Sequence, residues 1–181
     1  GDAYEAFMGR WSRRLAEHFI RWLGAQPGLA WLDVGCGTGA LTSAILGLSD
    51  PASVVACDPS AAFVEHARSR IPAQRVSVVV GGAGHLPQHP GGFDRVVSGL
   101  VLNFLDDPRQ AIGEMRACAR PGGIVAAYVW DYAGRMEFLR LFWNDAVALD
   151  PSARSLDEGT RFPICERRAL ESVFRDAGTR D

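Results

Sequence analysis

The chain has 181 residues, 48% of them hydrophobic and 22% charged, with a formal net charge of −2. That length suits one domain able to bury about two-thirds of its unfolded surface, and the composition excludes intrinsic disorder. No apolar run reaches the roughly 18–20 residues of a membrane span, and no signal-peptide pattern opens the chain, so a cytoplasmic protein is expected.

All 19 basic residues are arginine. The absence of lysine excludes a P-loop lysine, Schiff-base chemistry and a lysine general base. Trp11, Leu15, Phe19, Trp22 and Leu23 recur at helical spacing, which predicts an amphipathic helix over 9–23 ended by Gly24. Arg10, Arg13 and Arg14 form the densest basic cluster, and one helix face explains them without a phosphate ligand. Leu29 to Val34 reads as a buried strand, 40–48 as a helix, and Ser53 to Cys57 as a second strand ended by Asp58. Ser60 can cap a third helix with Phe63, Val64, Ala67 and Ile71 on one face. Arg75 to Val80 is a third strand, 81–92 a loop rich in Gly and Pro, and Phe93 to Ser98 a fourth strand.

Asp107 and Pro108 give a cap and a first-turn proline that open a helix to about Arg120. Pro121, Gly122 and Gly123 break it before a fifth strand, Ile124 to Trp130, and helices over 135–149 and 166–177 finish the chain. Apolar strands separated by helices predict an α/β fold: a doubly wound, mostly parallel, Rossmann-like sheet with helices on both faces. The four cysteines, Cys36, Cys57, Cys118 and Cys165, never approach C-x-x-C spacing. They read as buried thiols in a reducing compartment. The four histidines form no H-E-x-x-H, so no metal site is expected.

The informative stretch is Trp31 to Ala40, WLDVGCGTGA, where the first strand meets the next helix. Glycines there allow backbone N–H groups to approach a ligand at the carboxyl end of the sheet. Asp58 ends the second strand, where an acid accepts from a ribose diol. Gly35, Gly37 and Ala40 match the dinucleotide fingerprint, a weak signal alone. Gly39 shortens the spacing to G-x-G-x-G, and Asp33 precedes the first glycine by two residues. A carboxylate there suits an ammonium group better than a pyrophosphate, so the cofactor has a ribose and a cationic amino-acid tail.

These residues resemble motif I of the class I S-adenosylmethionine-dependent methyltransferases. CDPSAAFVEHAR (57–68), GGAGHLPQHPGGFDRVVSGLVLNFLDDP (81–108) and ARPGGIVAAYVWD (119–131) extend the resemblance along nearly the whole chain. The nearest branch is the small-molecule, quinone-biosynthesis-like group, methyltransferase type 11, and YEAFMGRWSR (4–13) resembles the opening of its bacterial members. The resemblance implies S-adenosyl-L-methionine as cofactor and S-adenosyl-L-homocysteine as product. Gly35, Cys36 and Gly37 would line the methionine and ribose, and Asp33 would sit near the amino group. Asp58 would take the ribose hydroxyls, Pro59 would pack on adenine, and Gly82 and Ala83 would form the adenine loop. Ser98 would offer its carbonyl near the methionyl amine. It implies that Asn103 faces the substrate and that Tyr4 and Trp11 cover the cofactor from the N-terminal side, next to the substrate; Asp131, at the carboxyl edge after the fifth strand, is a further substrate candidate, and no general base is assigned.

Gly82 stands where many relatives have Asp, and Gly84 where many have another acid, so adenine selection would rest on backbone and packing. The family's sheet usually ends in two further strands, and this chain stops at Asp181 after one helix, which implies a missing C-terminal end. A single methyltransferase domain over 1–181 is expected, with a helical cap (1–24), a cofactor-binding core (29–131) and substrate-side helices (132–181). Candidate bases are few: His85 reads as a surface residue, and Asp131 and Tyr132 as loop residues or substrate contacts. Trp130, Met136, Phe138 and Trp143 read mostly as core.

The expected activity is in-line methyl transfer to a small-molecule acceptor, in a monomer or homodimer. Nucleic acid is disfavoured, because the segment after the fourth strand reads Ser98-Gly99-Leu100-Val101 and not Asn/Asp-Pro-Pro-aromatic, and the arginines are scattered. The alternatives are a catalytically silent cofactor-binding module or sensor, and an NAD(P)-dependent reductase, which would need a Tyr-x-x-x-Lys that a lysine-free chain lacks.

Overall fold

The computed structural model describes residues 9–24, 26–72 and 74–179. Its elements are α1 (Arg10–Leu23), β1 (Ala30–Val34), α2 (Ala40–Ser49), β2 (Ser53–Asp58), α3 (Ala61–Arg70), β3 (Val76–Val80), β4 (Phe93–Gly99), α4 (Pro108–Cys118), β5 (Ala119–Tyr128), α5 (Glu137–Leu149), α6 (Glu158–Arg161) and α7 (Arg167–Asp176). Three 3-10 turns lie at Leu102–Phe104, Pro151–Leu156 and Pro163–Cys165. Two compact units result. One holds the described residues up to Gly99 with Gly113–Tyr128; the other holds Leu100–Ile112 and the residues from Val129 on.

The first unit is a five-stranded sheet in the order β3-β2-β1-β4-β5, with every pairing parallel. Side chains alternate across it as strand geometry requires. Trp31, Val54, Val97 and Ala126 pack with Ala16, Phe19 and Ile20 of α1 and Leu41, Ala44 and Ile45 of α2. Ala56 and Val78 meet Val64 and Ala67 of α3 on that same face. Leu32, Val34, Cys57 and Val96 point the other way, onto Met115 and Cys118 of α4. Helices therefore cover both faces. Strand order reverses between β1 and β4, which places a crevice at their carboxyl ends.

Three local expectations need correction. The buried stripe of α1 is Ser12, Ala16, Phe19 and Ile20, while Trp11 and Trp22 stand exposed. Phe63 likewise lies at the exposed limit of α3, although Ser60 caps that helix through Phe63 N–H at 3.4 Å. β5 begins at Ala119 and ends at Tyr128, earlier at both ends than expected. Its register jumps from Phe93↔Ala119 to Arg95↔Ile124, so the Pro121-Gly122-Gly123 segment bulges between paired residues without ending the strand. Asp94 ties that bulge to β1, accepting from Ala30 N–H at 2.8 Å and from the Arg120 guanidinium.

In the second unit none of the residues of α5 and α7 is fully buried. Phe138, expected in the core, is exposed, as are Leu141 and Phe142. Trp143 donates its indole N–H to Glu158 at 2.5 Å, and Arg140 forms a two-pronged pair with Asp157, whose carboxylate also caps α6 through Gly159 N–H. Polar links, more than apolar packing, join α5 to α6.

Candidate functional site

β1 delivers the chain into a turn, Gly35 to Gly39, in which all three glycines adopt left-handed backbone, with φ of 74° at Gly35, 53° at Gly37 and 89° at Gly39. A Cβ on Gly39 would lie 2.5 Å from Ile71 Cδ1, so any side chain there would have to displace the end of Ile71 as well as adopt the strained backbone. A Cβ on Gly37 would meet nothing within 4 Å, because that position faces open space. Four of the five N–H groups of the turn have partners within the protein. Gly35 and Cys36 both donate to Cys57 carbonyl oxygen, at 2.8 and 3.0 Å. Gly37 donates to Asp58 Oδ2 at 2.9 Å, and Gly39 to Cys36 carbonyl oxygen at 2.8 Å. A pyrophosphate cradle depends on free donors at such positions. These four N–H groups build the turn.

Asp33 lies under that turn and is completely buried. Its Oδ2 accepts from Thr42 Oγ1 of α2 at 2.6 Å, while its Oδ1 has no hydrogen-bond partner among the described residues. Burial pushes its carboxyl up to about 7, opposed by the Thr42 hydroxyl and backbone N–H and aided by the nearby Asp58 charge. A buried carboxylate oxygen with no donor is costly, and a cation or a strong donor is what would satisfy it.

Asp58 is buried at the end of β2, with Oδ2 held by Gly37 and Oδ1 by Ser60 N–H at 2.9 Å. Each of its oxygens keeps a second lone pair, so both can still accept from a vicinal diol. The exposed Pro59 follows, and a Cβ on Gly82 would sit 3.5 Å from its ring, so Gly82 and Pro59 are neighbours. The loop carrying Gly82 and the exposed Ala83 is anchored at three points. Gly81 donates to Asp58 carbonyl oxygen at 3.1 Å, His85 to Gly82 carbonyl oxygen at 2.9 Å, and Gly84 to Glu114 Oε2 at 2.6 Å. Ser98 is buried in β4 and its hydroxyl donates to Val34 carbonyl oxygen at 2.9 Å, across to β1. Burial raises the thiols of Cys36 and Cys57, the latter to about 12, and the Asp33 charge adds to both, so neither is a nucleophile.

The first unit thus gathers Asp33, Gly35, Cys36, Gly37, Asp58, Pro59, Gly82, Ala83 and Ser98 at one sheet edge. Trp11 stands on the surface of α1, flanked by the guanidinium groups of Arg10 and Arg14. Tyr4 lies outside the described residues. In the second unit Asn103 is buried in the Leu102–Phe104 turn, its Nδ2 without a partner among the described residues. Asp131 closes a turn by accepting Gly134 N–H at 2.9 Å. The exposed His85 has no role in the hydrogen bonding of Asp33 or Asp58. Two residues escaped the sequence reading. Thr42 was detectable as a hydroxyl in the first turn of a helix whose cap is glycine; Glu114, distant in sequence from the loop it holds, carried no such signal.

A five-stranded parallel sheet with a glycine turn after β1 and an acid ending β2 defines a doubly wound, Rossmann-like α/β domain. The model of the family described as a methyltransferase domain, Methyltransf_11, matches residues 32–127, and the chain belongs to that family. It is 32% identical over 178 residues to an uncharacterized 37.1 kDa protein in transposon TN4556 of Streptomyces fradiae, covering 88% of this chain and 50% of that protein. It is 37% identical over 101 residues to demethylmenaquinone methyltransferase of Beutenbergia cavernae, covering 56% of this chain and 40% of that one. Among solved structures it resembles phosphoethanolamine N-methyltransferase 2 of Haemonchus contortus, in complex with phosphomonomethylethanolamine and S-adenosylhomocysteine. The TM-score is 0.70 at 20% identity, covering 97% of this chain and 40% of that one, a likeness of fold. The chain spans half or less of the length of these relatives. Among the described residues no helix is long and apolar enough to cross a membrane.

Proposed function

We propose that this domain binds S-adenosyl-L-methionine and transfers its methyl group to a small-molecule acceptor, releasing S-adenosyl-L-homocysteine. The observation that carries the reading is the fully buried Asp33 oxygen without a donor among the described residues, beneath a turn that uses the N–H groups of its three glycines internally. That pairing fits a cofactor with an ammonium tail and no pyrophosphate. In this reading Asp33 takes the ammonium group with Ser98 at the same edge, while Gly35, Cys36 and Gly37 line the methionine and ribose. Asp58 accepts the ribose hydroxyls, and Pro59, Gly82 and Ala83 flank the adenine. The Gly37 opening leaves room for the ligand where a side chain would fill it.

When bound, the sulfonium supplies an electrophilic methyl group with a good leaving group. The chain's own residues then have to position the partners and exclude water, which can supply roughly 7–11 kcal/mol of barrier lowering. The name of the demethylmenaquinone relative supports a small-molecule acceptor. Asn103 is proposed as a donor to it because its buried amide has no other partner among the described residues. Tyr4, on the family resemblance, and Asp131, from its place after β5, are proposed as further acceptor-side residues; Trp11, exposed on the outer arc of α1 between Arg10 and Arg14, is not carried over.

Calorimetric titration with S-adenosylhomocysteine and, in parallel, NADH tests the cofactor. Micromolar binding of the thioether that weakens at least tenfold in Asp58→Ala is the expected result, given roughly 1.5–3 kcal/mol per hydrogen bond to a charged group. Binding of NADH in its place overturns the reading. Transfer of labelled methyl to a panel of small phenols and quinols then separates an enzyme from a silent cofactor-binding module.

A further inference from the structure

Helix α1 presents two unlike surfaces. Its inner stripe, Ser12, Ala16, Phe19 and Ile20, is buried against the sheet and α2. At about 100° per residue, Arg10, Arg21, Arg14, His18, Trp11 and Trp22 fall side by side on the opposite arc. The two indoles on that arc are 46% and 75% exposed. The guanidinium carbons of Arg10 and Arg14 stand 5.0 and 5.8 Å from the Trp11 ring centroid, and the Trp22 ring stacks on Phe19 at 5.9 Å.

The charge on this helix runs against that of the whole protein. The chain carries −2, yet α1 has four arginines against one acid, Glu17, which pairs with Arg21 at 3.2 Å. An arc that joins exposed indoles to guanidinium groups matches a layer that is apolar just beneath and anionic at its surface. A folded nucleic acid duplex offers the phosphates without a place to bury two indoles, and an ordinary water-facing helix needs no exposed tryptophan.

We propose that the outer face of α1 docks this domain peripherally on an anionic phospholipid bilayer, with Trp11 and Trp22 entering the headgroup layer and Arg10, Arg14 and Arg21 pairing with lipid phosphates. The helix lies on the surface and does not span it, since its inner stripe belongs to the protein core. This surface is independent of the cofactor reading and survives its failure.

The test is sedimentation of the full chain with phosphatidylcholine vesicles, with and without phosphatidylserine. Binding should require phosphatidylserine and fall about tenfold or more when salt shortens the Debye length from ~10 to ~3 Å. Arg14→Gln with Arg21→Gln should reduce it at least tenfold, and Trp22→Ser severalfold, with melting temperatures near the wild-type value because all three side chains are exposed. Brominated lipid should quench wild-type tryptophan emission more than that of Trp22→Ser. Equal binding to neutral vesicles, no binding to either, or variants that bind like wild type would overturn the assignment. So would tighter binding of a duplex oligonucleotide lost in the same variants. The salt series needs no variant and decides the matter even if one misfolds.

Discussion

Asp33 gives the site a pH dependence. Its folded value of about 7 lies above the ordinary 3.8, so between about pH 4 and pH 7 the folded state holds a proton the unfolded state has released. Stability therefore falls as pH rises through that window, and the full cost, up to about 4 kcal/mol, is felt above pH 7. Thermal melts from pH 5 to pH 8 should show the decline in the wild type, and Asp33→Asn should flatten it. Cofactor affinity should move the other way. If Asp33 must be ionised to hold an ammonium group, S-adenosylhomocysteine should bind roughly tenfold more tightly at pH 8 than at pH 6, and Asp33→Asn should bind weakly at both. Calorimetry across that range checks it. Thr42→Val removes the hydroxyl that favours the charged form, so the rise in affinity should shift to higher pH.

At the scale of elements, the turn after β1 and the loop after β3 are held by different means. The turn depends on backbone geometry: Gly39→Ala would force a side chain into φ 89° and against Ile71, costing about 1–3 kcal/mol in chemical denaturation. The loop depends on a side chain brought from α4. Glu114→Gln weakens a charge-assisted bond to Gly84 N–H, so S-adenosylhomocysteine should bind roughly 2–10-fold more weakly with little change in melting temperature. The carboxylate of Glu114 reaches Gly84 N–H from another element, a contact that could not be read from the loop's own two glycines.

At the scale of the molecule, the two units differ in how they are held. β1 is buried along its whole length, whereas α5 and α7 bury none of their residues fully and α5 is tied to α6 by polar pairs. Amide exchange of the native protein should therefore be slowest in β1, β2 and β4 and markedly faster in 137–176, because opening there exposes little apolar surface. Equal protection in both regions would contradict this account.

The order of strands and helices, the glycine turn and the acid that ends β2 were legible in the chain, because each is a local pattern of period, turn residue and spacing. The Pro-Gly-Gly segment misled about β5, since a breaker signal cannot tell a strand's start from a bulge inside it. The amphipathic period placed α1 correctly yet assigned Trp11 and Trp22 to the wrong side, because burial follows fit and not residue size: small Ala16 belongs to the core that α1 forms with α2, while both indoles lie outside it. Local pattern thus determined the family fold and the residues at the sheet edge. Only tertiary structure decided that the turn gives the N–H groups of Gly35, Cys36 and Gly37 to Cys57 and Asp58, that Asp33 keeps one oxygen without a donor among the described residues, and that Glu114 holds the loop. Those are contacts between residues far apart in sequence, and a donor's partner exists only once the strands have come together.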